Sequence, residues 1–149
     1  MQQVSWKCKF FDDLTPHELY AIIKLRNEVF VVEQNCVFQD ADDKDKKCYH
    51  LMGMAGDELA AYARLVPTAV SYKNMSIGRI VTSSKFRSIG AGKALMHEAI
   101  SRCTLLFGEQ TIEIGAQLYL KNFYESFGFK QTSDVYDEDG IPHIEMVRM

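Results

Sequence analysis

The chain has 149 residues, of which 47% are hydrophobic and 25% charged, a balance typical of one globular domain with its own core. Its net charge of −3 argues against a general nucleic-acid binder, which would normally carry an excess of basic residues. No apolar run approaches the roughly 20 residues of a membrane helix, and the first residues lack a secretory signal. We therefore expect one domain, residues 1–149, with neither a nucleic acid nor a membrane as partner.

The four cysteines are scattered along the chain, at Cys8, Cys36, Cys48 and Cys103, and include no CxxC pair. In a domain with an adequate core, this pattern predicts reduced thiols and a cytoplasmic protein. Only Cys48 and His50 are close enough in sequence to suggest two zinc ligands, and no second pair has the necessary spacing. We therefore expect no metal site.

The N-terminal segment predicts a strand over residues 4–11 and then a helix. Thr15 is the expected N-cap, Pro16 occupies the first helical position, and Glu18 completes a capping box. Apolar residues follow at helical spacing: Leu19, Ile22, Ile23, Val29 and Phe30. Arg26 falls on or beside this apolar stripe, where it could pair with an acidic side chain or bind a substrate carboxylate.

An acid-rich stretch over residues 33–47 predicts a loop with a short helical turn at most. A calcium loop is excluded, because Asp45 and Leu51 stand where glycine and glutamate would be required. Two interpretations remain open for its carboxylates. They form either a solvated loop or an electronegative rim that attracts an ammonium substrate.

The rest of the chain alternates strands and helices without strict βαβ order. Gly56 and Asp57 predict the turn of a hairpin, and Gly128 predicts the end of a helix. Strands are expected over 50–55, 58–66, 76–82, 111–115, 129–136 and 144–149, and helices over 90–103 and 118–127. This order predicts an α+β fold with one mainly antiparallel sheet, in which the strands at 76–82 and 111–115 are parallel neighbours.

A strand, a loop and a helix start meet at the pattern Arg87-x-x-Gly90-x-Gly92. The first turn of a helix offers free N–H groups and a partial positive charge, and glycines let an anion approach the backbone. The pattern matches neither a P-loop, which needs Ser or Thr where Ala94 stands, nor the dinucleotide motif, which needs glycine at Leu95. It is either a pyrophosphate site or a tightly packed helix start that binds nothing.

Together with the segment Asn122-Phe123-Tyr124-Glu125-Ser126-Phe127-Gly128-Phe129, this pattern resembles the GNAT acyltransferase superfamily. The stretches 26–36 and 136–144, with Gln39-Asp40 and His50, resemble its ElaA-like branch. The likeness spans nearly the whole chain. It implies a GNAT-like single domain, with a central mixed, mainly antiparallel sheet flanked by helices.

The resemblance implies that acetyl-CoA is a co-substrate. The backbone of Ile80, Val81 and Thr82 would pair with the pantetheine arm, and the segment from Arg87 to Lys93 would hold the pyrophosphate. The residues of that segment are Arg87, Ser88, Ile89, Gly90, Ala91, Gly92 and Lys93. Phe123 and Gln117 complete the expected cofactor contacts, although Gln117 stands where the family often has a shorter asparagine.

The resemblance also implies a chemistry for acyl transfer. Tyr124 matches the position of a tyrosine that protonates the departing thiol, and a phenol is protonated at neutral pH. A backbone N–H near Val81 could stabilise the oxyanion. Glu113, on the strand beside the expected reaction centre, is the first candidate for the general base. His50, His143, Glu33 and a water chain remain alternatives.

The expected acceptor is a primary amine of a small molecule or peptide, bound near Arg26, Glu33, Asp40 and His50. Two other functions remain open. One is a non-catalytic acyl-CoA-binding or regulatory module, because the fold does not guarantee turnover. The other is an enzyme like the acyl-homoserine-lactone synthases, which the segment 26–34 also resembles. A homodimer is common in the superfamily and would be compatible with this chain.

Overall fold

The computed structural model describes residues 3–149, apart from the side chains of Ser88 and Ile89. The strands are β1 Ser5–Phe10, β2 Tyr49–Ala55, β3 Glu58–Val66, β4 Ser76–Thr82, β5 Ile112–Gln117, β6 Lys130–Gln131, β7 Tyr136–Glu138 and β8 Ile141–Arg148. The helices are α1 Pro16–Arg26, a π-helix over Asn27–Glu33, α2 Ala91–Phe107 and α3 Lys121–Glu125. Short 3₁₀ turns precede α1, β2, α2 and α3.

Four strands form an antiparallel sheet in the order β1-β2-β3-β4. The predicted hairpin between β2 and β3 is present, with Ala55 opposite Glu58 and Gly56 at a φ of 63° in its turn. The bounds predicted for β4 agree with those observed. This sheet forms one wall of the site described below.

The second sheet contains β5, β8 and β6, all antiparallel, and β7 pairs with the other end of β8. Its core-facing residues include Ile112, Ile114 and Met146, which pack with Leu95 and Cys103 of α2. The strand predicted over 129–136 is instead two short strands, and the segment between them contacts β8 through Thr132 N–H, which donates to the Glu145 carbonyl at 2.8 Å.

The predicted parallel pairing of β4 with β5 exists only at one end. Met75, just before β4, forms a parallel bridge with Ile112, and its carbonyl accepts a hydrogen bond of 2.9 Å from Glu113 N–H. The predicted α+β fold, mainly antiparallel and flanked by helices, is confirmed, but beyond this bridge the strands belong to two antiparallel sheets. The two strands therefore diverge toward their carboxyl ends.

A bulge in β4 accompanies this divergence. Tyr62 and Arg64 on β3 face Val81 and Gly78, so β4 has one residue more than β3 between these pairs. Arg79 adopts a φ of 49°, a backbone conformation that is uncommon for a residue with a side chain. An extra residue of this kind bends a strand, and here the bend lies beside the cleft between the sheets.

The helix starting at Pro16 has the predicted capping box. Glu18 N–H donates to Thr15 Oγ1 at 3.1 Å, and Thr15 N–H donates to Glu18 Oε1 at 2.9 Å. The predicted α-helical stripe is correct as far as Arg26, after which the chain continues as a π-helix. None of the helices in the described part of the chain has the length and apolar character of a membrane span.

Candidate active site

The divergence of β4 and β5 opens a cavity of about 850 Å³ between the two sheets. Its walls come from both strands, from the π-helix and from α3. The predicted residues that line it are Ile80, Val81, Thr82, Arg87, Gly92, Gln117, Phe123, Tyr124 and Glu33. The fold thus brings together parts of the chain that are about 90 residues apart in sequence.

One edge of β4 faces this cavity. Within the described residues, β4 pairs with β3 along its other edge, and its cavity edge meets β5 only through the Met75–Ile112 bridge. The cavity edge of β4 from Ile80 to Thr82 is therefore open to an extended partner. Exposed strand edges of this kind bind extended chains by adding them as a further strand.

The cavity edge of β4 leads to the N-terminus of α2, a helix of 17 residues. Gly90 precedes it with a φ of 77°, and a Cβ added there would meet no atom within 4 Å. A Cβ on Gly92 would lie 3.9 Å from Thr82 Cγ2, an ordinary contact. The helix start is therefore open rather than tightly packed, which favours the interpretation as an anion site.

The remaining residues predicted for this loop differ in position. Ala91 is buried in the core and Lys93 is exposed, and neither lines the cavity. The side chains of Ser88 and Ile89 lie outside the described residues. Arg87 contacts the π-helix, because its Nη2 donates to Glu33 Oε1 at 2.8 Å and to the Thr82 carbonyl at 3.2 Å.

Tyr124 is 5% exposed and reaches the cavity from α3. Its ring packs edge-to-face against Phe123 and Phe129, with centroids 5.3 and 6.1 Å away. Burial, with a smaller contribution from Tyr119, raises the pKa of Tyr124. The phenol therefore stays protonated at neutral pH and can act as a proton donor.

Gln117, at the end of β5, contacts Gln34 across the cleft. The two amides exchange hydrogen bonds of 3.5 and 3.3 Å. Sequence analysis did not assign a role to Gln34, and its only signal was its place in the stretch that resembles the ElaA-like branch. The pair connects the end of the π-helix to the second sheet.

A buried charge cluster lies beneath the acid-rich loop. It comprises Arg26, Asp40, Asp42, Asp45, Arg64 and Arg79. Arg26 is 0% exposed and donates to Asp40 and Asp45 at 2.7 Å each. Arg64 donates to Asp42 and Asp45, and Arg79 donates to Asp40.

The charges of this cluster satisfy one another. Burial opposes ionisation, but the hydrogen bonds and charges of the arginines lower the pKa values of Asp42 and Asp45. Among the buried side-chain nitrogen and oxygen atoms of the described residues, only Arg64 Nε has no hydrogen-bond partner. The cluster therefore fixes the loop to α1, β3 and β4.

The structure does not place Arg26 and Asp40 where the expected substrate role requires them. Neither side chain lines the cavity, and each is occupied by partners within the cluster. Of the two roles open for Arg26, the structure shows the pairing with acidic residues. The acid-rich loop is correspondingly neither fully solvated nor simply an electronegative rim.

The structure does not place His50 at the cavity, where the expected substrate or base role would require it. It is 0% exposed, lies outside the cavity lining, and uses both ring nitrogens within the protein. Its Nε2–H donates to the Asp45 carbonyl at 2.9 Å, and its Nδ1 accepts from the Tyr62 hydroxyl at 2.6 Å. Burial lowers the pKa of His50, so it remains a neutral structural bridge.

Glu113 is likewise absent from the cavity lining, contrary to its expected role as the base. It accepts a hydrogen bond of 3.3 Å from Asn74 Nδ2. The neighbouring positions Ile114 and Gly115 do line the cavity. The expectation failed because the strand was placed correctly but the direction of this side chain was not.

Of the histidines considered for the base, His143 is the one that lines the cavity. It lies opposite Gln117 in the pairing of β5 with β8 and is 7% exposed. The cavity also contains the acidic residues Glu138 and Asp139, from β7 and the following turn. Within the described residues, no three His, Cys, Asp or Glu side chains gather as a metal site.

Comparison with known proteins agrees with this geometry. A family model described as an acetyltransferase (GNAT) domain matches residues 12–149. Protein ElaA of Escherichia coli strain K12 is 41% identical over 147 residues, which cover 97% of this chain and 96% of that protein.

Solved structures give the same result. A crystal structure of an acyl-CoA N-acyltransferase from Pseudomonas aeruginosa superposes with a TM-score of 0.93 at 40% identity, covering 99% of this chain and 100% of that one. The crystal structure of Escherichia coli ElaA superposes with a TM-score of 0.92, also at 40% identity and with the same coverage. The chain therefore belongs to the GNAT acetyltransferase family, within its ElaA-like branch, and is an acyltransferase.

Proposed function

We propose that this protein is an acetyl-CoA-dependent N-acetyltransferase that transfers an acetyl group to a primary amine of a small molecule or peptide. The main supporting observation is the open edge of β4, which leads along one cavity wall to the N-terminus of α2. An extended arm and an anionic group at its end would need these two features in this order.

The residues present fit acetyl-CoA, which supplies the activated acetyl thioester. The backbone of Ile80 to Thr82 would pair with the pantetheine arm. The N–H groups at the start of α2 would hold the pyrophosphate, with Gly90 and Gly92 leaving room for it. Arg87 would turn from Glu33 to the pyrophosphate, because a phosphate offers it a charge-assisted partner.

Within the cavity, Tyr124 would give its proton to the departing thiolate. Its burial keeps the phenol protonated until that step. A backbone N–H on the cavity edge of β4, next to Val81, would donate to the carbonyl oxygen as negative charge develops on it. These two groups come from opposite walls, β4 and α3, so the divergence of the sheets places the reacting carbonyl between them.

The acceptor would enter on the side of the cavity formed by the π-helix and the second sheet. Three acidic residues, Glu33, Glu138 and Asp139, line this region. Carboxylates in a cleft raise the local concentration of a cation, which favours an ammonium group as the acceptor.

The state of the cysteines supports a site of action in the reducing cytoplasm. All four are free thiols: Cys8, Cys36, Cys48 and Cys103.

The first experiment is a thermal unfolding series with added acetyl-CoA. Saturation at about 100 times Kd contributes roughly 2.7 kcal/mol, which should raise Tm by about 5–11 °C for a domain of this size. Gly92→Glu should abolish the shift, because it places a negative charge at the pyrophosphate position.

Ser101→Glu is the matched control, since Ser101 is an exposed position on the same helix. It should leave the shift intact. A Tm that does not respond to millimolar acetyl-CoA would contradict the proposed function. Release of CoA on addition of a primary amine then tests the transfer itself.

A further inference from the structure

We propose that His143 is the catalytic residue that accepts the proton of the acceptor ammonium, and that Glu138 positions His143 and stabilises its charged form. The inference rests on the proposed function and completes it, because acyl transfer needs a neutral amine. An amine with a pKa of about 10.4 is neutral in only about one molecule in 2,500 at pH 7. A nearby base removes that disadvantage.

The hydrogen bonds of His143 leave one nitrogen available. Its Nδ1 lies 2.7 Å from the Ile141 carbonyl oxygen, which can only accept, so Nδ1 carries the hydrogen. In the neutral ring, Nε2 then has a free lone pair. Nε2 lies 3.2 Å from Glu138 Oε2, so a proton taken up there is stabilised at once by the carboxylate.

The surroundings hold the ring in place but leave Glu138 movable. Tyr136 stacks on the imidazole with centroids 5.9 Å apart and an interplanar angle of 29°. His143 is nearly buried, whereas the Glu138 side chain is 60% exposed. An ammonium entering from the cavity mouth can therefore displace the carboxylate slightly and lie between it and Nε2.

Two other acidic residues in the cavity have partners. Asp42 accepts from Arg64 and Arg79, and Glu33 accepts from Arg87 until the pyrophosphate takes that arginine. Burial, with neighbouring Tyr136, raises the pKa of Tyr72, so its phenol keeps its proton. His143 is thus the cavity residue whose free lone pair and neighbouring carboxylate suit proton uptake.

The groups named above account for every proton in the reaction. The ammonium nitrogen loses one proton to His143 Nε2, and the freed lone pair forms the bond to the acyl carbon as the bond to sulfur breaks. Tyr124 protonates the sulfur. The second proton lost by nitrogen restores the Tyr124 phenol through water, and His143 returns its proton to solvent at the cavity mouth.

Several titratable groups face His143 and must be considered in a pH profile. They are Tyr136 and Glu138 on β7, Asp139 in the turn, Glu145 two residues further along β8, and Tyr124 and Glu33 across the cavity. On β5 its neighbour is the neutral Gln117. A pH limb can be assigned to His143 only if it disappears in the His143 variant.

The test compares two acceptors of similar size, propylamine and methoxyamine, in CoA-release assays. Propylamine is almost wholly protonated at about pH 7, whereas methoxyamine is neutral there. His143→Gln should lower kcat/KM for propylamine at least about 100-fold near pH 7, with a change of no more than about threefold for methoxyamine. The loss of kcat/KM for propylamine in this variant should become smaller toward about pH 10, where the amine deprotonates without a base from the protein.

Two further variants sharpen the assignment. Glu138→Gln should lower kcat/KM for propylamine more than for methoxyamine, because the charged imidazole then lacks the carboxylate that lies 3.2 Å from Nε2. His17→Gln, at an exposed position on α1, is the matched control and should behave as the wild type.

Equal losses for both amines in His143→Gln, or no loss for either, would overturn the inference. If the variant keeps the acetyl-CoA thermal shift and the wild-type profile, this inference alone fails. If the wild type releases no CoA with either amine, the proposed function fails with it.

Discussion

The two sides of the cleft use polar residues in opposite ways. On the side of the first sheet, the buried charge cluster pairs three arginines with three aspartates, and their partners are almost all within the cluster. On the side of the second sheet, the polar groups are fewer and incompletely paired. Tyr124 donates no hydrogen bond to the described residues, and His143, which lines the cavity, has only the exposed carboxylate of Glu138 near its Nε2.

This contrast separates groups that hold the shape from groups available for chemistry. A charge whose hydrogen bonds are all satisfied inside the protein cannot change its protonation or partner without a large cost. A group with one free atom at a cavity can do so easily. Residue type alone does not show the difference, since both sides contain a histidine and several carboxylates.

The largest expected effect comes from breaking the charge cluster. Arg26→Leu leaves Asp40 and Asp45 buried without their main partner, so the free energy of unfolding should fall by about 3–5 kcal/mol. Urea denaturation measures this. Arg102→Leu is the matched control, because its ion pair with Glu98 is about one-third exposed and is worth at most about 1 kcal/mol. Similar losses in both variants would show that the cluster is not structurally special.

The second prediction concerns the stability of the protein at acid pH. The folded-state pKa values of Asp42 and Asp45 lie below their unfolded value of about 3.9, so their stabilisation is complete above that pH and is lost as the pH falls through the folded pKa. Below about pH 4, each aspartate should make the free energy of unfolding fall by up to about 1.4 kcal/mol for each pH unit of acidification.

Urea titrations from about pH 5 to pH 2.5 measure this slope. Asp42→Asn should flatten it, whereas Asp134→Asn, at an exposed position, should not. An unchanged slope in Asp42→Asn would contradict the assigned ionisation of the cluster.

The smallest expected effect on stability concerns Tyr124, on the side of the cleft formed by the second sheet. Tyr124→Phe removes only one oxygen, so stability and acetyl-CoA affinity should change little. The kcat should nevertheless fall more than about tenfold, because the departing thiolate loses its proton donor. A tenfold loss corresponds to about 1.4 kcal/mol of activation free energy. Steady-state kinetics with a thermal shift assay separates the two effects. A kcat that is unchanged over the whole pH range would remove Tyr124 from the mechanism.

Local signals in the sequence predicted most of the fold. The capping box at Thr15, the hairpin at Gly56 and the strand ending at Thr82 each depend on nearby residues, and all were confirmed. The divergence of β4 and β5 was not predicted. It accompanies a bulge beside Gly78, in which the positive φ is adopted by Arg79, and an arginine gives no sequence signal for that conformation.

The candidate site was less predictable, because side-chain direction and long-range partners decide it. Glu113 and Ile114 are neighbours on one strand, yet only Ile114 lines the cavity. His50 and His143 both lie on strands, and only the structure shows that the former is enclosed by Tyr62 and Asp45. More of the residues expected at the co-substrate line the cavity than of those expected at the acceptor, since a resemblance fixes a continuous loop better than it fixes an acceptor pocket.

The π-helix has a consequence for how this site can vary. Its wider turns are visible in the hydrogen bonds from Gln34 N–H to the Val29 carbonyl and from Cys36 N–H to the Val31 carbonyl. At its end, Glu33 contacts Arg87 in the loop before α2, and the next residue, Gln34, contacts Gln117 of the second sheet. Deleting one residue from this segment would rotate both side chains by about 100° if it became an ordinary α-helix. The loop before α2 and the wall formed by the second sheet are thus tied to a single register, so neither can be remodelled by a length change here without the other.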